Sequence, residues 1–97
     1  MEVRFRSRRL QRCFEVSAEA SRVWGPDIGV RYVQRVTALF AAERVSDLYN
    51  VRAFDFHPLT GARRGQFAIR LNGQIRLILT VEDESSVMVE EVVDYHA

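Results

Sequence analysis

Asn72-Gly73 lies between two apolar alternations, Gln66–Leu71 and Ile75–Val81. A tight-turn dipeptide between strand-period runs is a strong hairpin signal, and it constrains this chain more than any other feature. Two registers are available. A two-residue loop pairs Leu71 with Gln74 and puts Phe67, Ile69 and Leu71 on the face opposite Ile75, Leu77 and Leu79. A three-residue loop, with Gly73 left-handed in a bulge, pairs Leu71 with Ile75, Ile69 with Leu77 and Phe67 with Leu79. Only the second gathers the large apolar side chains on one face, so it is the expected register. It has a cost: Arg70 and Arg76 then stand directly opposed on the other face, where like charges destabilise a sheet. An anion between or beside them would explain the arrangement.

Around this hairpin the remaining elements follow in order. Glu2–Arg6 alternates as a short half-buried strand. Ser7 is placed to cap a helix running through Trp24, with Leu10, Cys13, Phe14, Ala18 and Val23 as its apolar stripe. Gly25-Pro26 ends it, and Pro26-Asp27 opens a second helix to about Ala42, carrying Ile28, Tyr32, Val36, Leu39 and Phe40. So short a turn implies an antiparallel helical hairpin. Ser46-Asp47 caps a further turn through Tyr49, and Val51–Phe56 reads as a strand. His57–Gly65 is a loop with one Pro and two Gly. Ser86–Tyr95, entered through Glu82–Ser85, is the last strand. The expected fold is α+β: an N-terminal strand and a helical hairpin packed on one face of a small twisted antiparallel sheet. Trp24, Phe14 and Phe40 are expected in the core.

With 97 residues the chain supports one domain, 1–97, and one modest core. Hydrophobic residues at 47% and charged residues at 28% exclude wholesale disorder and a collagen-like chain. No apolar run approaches the roughly 18–20 residues of a membrane-spanning helix, and no apolar stretch follows the basic residues at Met1–Arg6. The expected location is therefore cytoplasmic, with no membrane contact. One cysteine, Cys13, cannot form an internal disulfide and reads as a small buried hydrophobe.

Charge is unevenly distributed. Residues 1–81 hold fourteen Arg and seven acids, whereas residues 82–97 hold six acids and no Arg. A basic body rich in arginine favours phosphate or acidic partners, because the planar guanidinium pairs bidentately with phosphate. The competing explanation is a solvated, salt-bridged surface. The N-terminal cluster Arg4, Arg6, Arg8, Arg9 and Arg12 suits RNA and an acidic protein equally well.

His57-Pro58-Leu59-x-Gly61-x-Arg63-Arg64-Gly65-Gln66-Phe67 resembles a segment of the HigB branch of the RelE/ParE toxin superfamily. Asn72-Gly73-Gln74-Ile75-Arg76 and Val93-Asp94-Tyr95-His96 resemble two further segments of that branch. Three ordered motifs in one small chain are more specific than any one of them. The similarity is strong over roughly residues 50–97 and general in kind over the helices. It implies a RelE-like fold and a ribosome-dependent mRNA endonuclease acting on mRNA in the A site. It also implies neutralisation by a helix-turn-helix, HigA-like antitoxin, with DNA reached only through that partner. Where the family commonly has lysine, this chain has Thr60, which hydrogen-bonds but carries no charge. Two alternatives remain open: a non-enzymatic gyrase poison of the ParE kind, and a catalytically weakened relative marked by Thr60.

Metal-free RNA cleavage needs the 2′-hydroxyl deprotonated, the leaving 5′-oxygen protonated and the phosphorane charge stabilised. The two histidines, His57 and His96, are the natural acid–base candidates, since histidine titrates near neutrality. Tyr95 suits base stacking or a hydrogen bond to the phosphate, with cross-strand packing as its competing role. Asp94 suits orienting a histidine or an arginine. Arg76, mid-strand, reads as a phosphate contact, Arg70 as a weaker case of the same, and Arg63-Arg64 as contacts to the RNA backbone. No residue spacing resembles a metal site, and no cofactor is expected.

Overall fold

The computed structural model describes residues 1–94. Strand β1 (Glu2–Phe5) leads into helices α1 (Arg8–Glu15), α2 (Ser17–Trp24) and α3 (Pro26–Ala41). Strands β2 (His57–Pro58), β3 (Gln66–Arg70), β4 (Ile75–Asp83) and β5 (Ser86–Asp94) follow. The sheet order is β1-β5-β4-β3-β2. Neighbours among β2–β5 are antiparallel, and β1 joins the edge parallel to β5. The helices cover one face, and the core lies between: Val36 and Leu39 of α3 meet Ile69, Leu77, Leu79, Val87 and Val89 of the sheet, all fully buried. Tyr32 crosses this layer and donates its phenol to the Leu10 carbonyl at 2.7 Å. Burial pushes that phenol well above its ordinary range, so it serves as a fixed donor.

The expected single helix from Ser7 to Trp24 is two helices. Ser7 does cap the first, its hydroxyl accepting from the Leu10 amide at 3.2 Å. At Val16 the backbone turns extended (φ −124°, ψ 100°). Arg12 closes the last turn of α1 and Glu19 opens the first turn of α2, the charge each helix end favours. The break shifts the phase so that Ala20, not Ala18, is buried. Gly25, at φ 85°, makes the left-handed corner before Pro26. Four residues later Gly29 lets α3 touch α2, because a Cβ there would lie 2.6 Å from the Ser21 amide nitrogen.

Two further expectations change. Val51–Phe56 is not a strand: a 3-10 turn at Arg52–Phe54 ends on left-handed Asp55 (φ 46°). Phe54 and Phe56 are both buried, and their two-residue spacing imitates a strand without a ladder. Phe40 lies outside the core, 44% exposed, stacked on half-buried Phe14 with ring centres 5.3 Å apart. Trp24 packs against the core from its margin.

The hairpin adopts the three-residue register: Phe67 faces Leu79, Ile69 faces Leu77 and Arg70 faces Arg76. The Leu71 amide donates to the Ile75 carbonyl at 2.9 Å. Gly73, however, is not left-handed. Asn72 closes the loop instead, its Oδ1 accepting from the amides of Gln74 (2.8 Å) and Ile75 (2.7 Å).

The parallel pairing of β1 and β5 also resolves part of the charge asymmetry. It brings the basic N-terminus against the acidic C-terminal segment: Arg4 binds Glu82, and Arg6 binds Glu90 at 2.9 Å. Arg6 first, and the Thr80 hydroxyl after it, hold the Glu90 carboxyl below its usual range against the opposing effect of burial.

Candidate functional site

Paired residues share a sheet face, so the register defines what the face away from the helices presents. One row crosses four strands: His57, Ala68, Ile78, Glu91. The next holds Arg70, Arg76 and Val93. A third holds Gln66, Thr80, Met88 and Arg4. Ala68 and Ile78 are fully buried although no helix covers them. Arg63 reaches over this centre: Nη1 donates to Gln66 Oε1 on β3 at 3.0 Å and to Glu91 Oε2 on β5 at 3.1 Å. Its aliphatic stem shields apolar atoms while the guanidinium stays at the surface.

His57 enters this face from the short edge strand β2. Its Nδ1 lies 2.6 Å from the Asp55 carbonyl oxygen. A carbonyl only accepts, so Nδ1 carries the proton, and in the neutral ring Nε2 is the basic nitrogen. The left-handed turn at Asp55 aims that carbonyl, and with it the ring. A hollow of about 350 Å³ opens beside His57, lined by Pro58, Leu59, Thr60 and Arg63. Gly61 and Gly65, at φ 64° and 94°, bracket the loop at angles that side-chain-bearing residues rarely adopt. The Leu59 amide anchors it to the Gln66 carbonyl at 2.8 Å.

The remaining candidates fall into four groups. Arg76 is half-buried and donates through Nη1 to the Asn72 carbonyl at 2.7 Å, so its head is fixed over the hairpin and serves the structure as well. Arg70 and Arg64 are exposed and form no ion pair among the described residues. Asp94 pairs with Ile75, two residues beyond Val92, and so belongs to the margin of the helix-covered face, not to the row of His57. Tyr95 and His96 lie outside the described residues.

Glu91 was not legible as part of this face. Strand alternation runs inward through Val87 and Val89, and the register shift opposite Ile78/Leu79 then inserts Glu90. The Glu90-Glu91 doublet was the available signal, because two adjacent charges between inward valines imply a bulge. Among the described residues no cluster of His, Cys, Asp or Glu stands ready to hold a metal ion, and no helix is long and apolar enough to cross a membrane.

The comparisons with known proteins agree with this architecture. A family model, the RelE-like toxin of type II toxin–antitoxin system HigB, matches residues 3–96. The fold is similar to the crystal structure of YafQ from E. coli strain BL21(DE3), with TM-score 0.67 and 15% identity, covering 98% of this chain and 93% of that one. It is similar to the YoeB/ParE toxin from Agrobacterium tumefaciens, with TM-score 0.57 and 13% identity over 97% and 98% of the two chains. It also resembles a chain of the YoeB–YefM complex from Staphylococcus aureus, with TM-score 0.55 and 16% identity over 100% and 98%. No curated protein matches the sequence. Identities this low show likeness of fold, while the family match spans nearly the whole sequence. The chain belongs to the HigB-like toxins, RelE-like members of type II toxin–antitoxin systems.

Proposed function

We propose that the chain is an endoribonuclease that cuts mRNA on the ribosome, with the open sheet face as its active surface. The observation that carries this reading is the fixed His57 ring on the same face as Arg70 and Arg76. In this reading His57 Nε2 takes the proton of a 2′-hydroxyl. The 2′-oxygen attacks the adjacent phosphorus, forming a cyclic phosphate and expelling the 5′-oxygen, which must gain a proton. His96 and Tyr95 are the candidate donors, and Asp94 a candidate to orient them. Arg76 and Arg70 balance the charge that grows on the phosphorane, where fixed cations contribute most.

Arg63 and Arg64 supply the loop cations in the absence of a lysine at Thr60, with Arg63 exchanging Glu91 for phosphate as RNA arrives. Arg64 and Arg70, which form no ion pair among the described residues, support a backbone-binding role. The expected partners are a helix-turn-helix, HigA-like antitoxin and the ribosome, in the cytoplasm.

Primer extension on mRNA bound to translating ribosomes tests the proposal. Discrete cuts within A-site codons are expected from the wild-type chain, with none on free mRNA under the same conditions. A folded, toxic chain that leaves mRNA intact and induces DNA damage would overturn it in favour of a gyrase poison.

A further inference from the structure

α3 sends two arginines to the end of β3. Arg31 donates through Nη1 to the Leu71 carbonyl at 2.8 Å, and Arg35 donates through Nε to the Arg70 carbonyl at 3.1 Å. The second bond fills a gap in the sheet. β2 pairs with β3 only at His57–Ala68 and Pro58–Phe67. The same register carried back two residues would set Asp55 opposite Arg70, but Asp55 is left-handed and lies outside the strand. Hydrogen bonding in an antiparallel sheet alternates along a strand from one neighbour to the other. With the Leu71 amide bonded to Ile75 of β4, the Arg70 carbonyl points to the edge that β2 leaves open, and Arg35 supplies the donor there.

The Arg35 guanidinium also lies over the Phe54 ring, 5.2 Å from its centre. Phe54 closes the 3-10 turn that ends on Asp55, and the Asp55 carbonyl holds His57 Nδ1 at 2.6 Å. One guanidinium therefore touches both the backbone that carries Arg70 and the turn that aims His57. The arrangement is costly. Arg35 is half-buried and has no carboxylate partner among the described residues. Burial first, and then the charge of Arg31, act against its charged form. An apolar side chain would fill the same space without that cost.

We propose that Arg35 is a positioning residue for the open face, fixing the His57 ring and the Arg70 arm relative to each other. The inference rests on the nuclease reading of that face, but the state of the ring can be measured without any cleavage.

Nitrogen NMR of the His57 ring, at a pH where the ring is neutral, and mRNA cleavage on the ribosome test it together. Arg35→Met keeps an apolar stem and removes both the donor and the cation. It should shift the ratio of Nδ1–H to Nε2–H tautomers by at least about threefold and slow cleavage about 10–100-fold. Val36→Ala is the control, because it truncates a fully buried neighbour on α3. It should lower the melting point and leave both readings as in wild type. An unchanged tautomer ratio in folded Arg35→Met would overturn the proposal, and so would an equal shift in Val36→Ala. A fall in cleavage with the ratio unmoved would make Arg35 a direct RNA contact and overturn it too. A shifted ratio, with no cleavage by wild type, would keep the hold on the ring and overturn the nuclease reading instead. Should Arg35→Met fail to fold, Arg35→Gln decides by the same two readings.

Discussion

The two faces of the sheet are built from the same strands to opposite ends. β4 turns Leu77 and Leu79 toward the helices and Arg76, Ile78 and Thr80 away from them. On the covered face, each side chain is explained by what it packs against. On the open face several are not: Arg70 opposes Arg76, Arg64 has no ion pair among the described residues, and His57 is held by its backbone bond beside a hollow. An open face needs only polarity, which many residue types supply. An arrangement that opposes like charges and fixes a histidine ring departs from that minimum, and the proposed function rests on that departure.

The largest stability effect should fall on the covered face. Leu77→Ala removes a fully buried side chain and should cost about 2–5 kcal/mol, read as a lower denaturant midpoint at unchanged slope. A loss below about 1 kcal/mol would blur the distinction between the faces. Gly29→Ala comes next. Its methyl would meet the Ser21 and Ala20 backbone at 2.6 and 2.8 Å, and forcing α2 from α3 should cost about 1–3 kcal/mol by the same measurement.

Glu90→Gln tests the seam between β1 and β5 and should cost about 1 kcal/mol near neutral pH. Because Arg6 lowers the folded-state pKa of Glu90, the carboxylate stabilises the fold above its unfolded pKa of about 4.3. That contribution disappears as pH falls through the folded value. The difference between wild type and variant should therefore shrink below about pH 4 in acid-unfolding curves. Arg70→Gln should have the smallest effect, within about 0.5 kcal/mol of wild type, while lowering the salt slope of RNA binding by about 1. A large stability loss at Arg70 would make it structural.

The covered face was the more legible because its signal is local and repeats. Phe67, Ile69, Leu71 and Ile75, Leu77, Leu79 admit only one register that buries them together, and the structure has it. Legibility failed where another group met the same need by different chemistry. The Asn72 side chain closes the hairpin loop without a left-handed Gly73. Phe54 and Phe56 are buried from a 3-10 turn and the following linker, not from a strand. On the open face, His57, Arg70 and Arg76 were readable from motif and register. Asp94 was a candidate through the Val93–His96 resemblance, and strand alternation carries it to the margin of the helix-covered face. Glu91 was hidden by the bulge, and the parallel docking of β1 depends on contacts more than eighty residues apart in sequence, such as Arg6 with Glu90.

The central claim is that the open face supplies chemistry and contributes little stability. Thermal melting and growth arrest measured side by side for wild type and His57→Ala test it most directly. The account predicts melting points within a few degrees of each other and a loss of about 10²–10⁴-fold in activity, the range for removing a general base. A stably folded His57→Ala variant that arrests growth as well as wild type would contradict it.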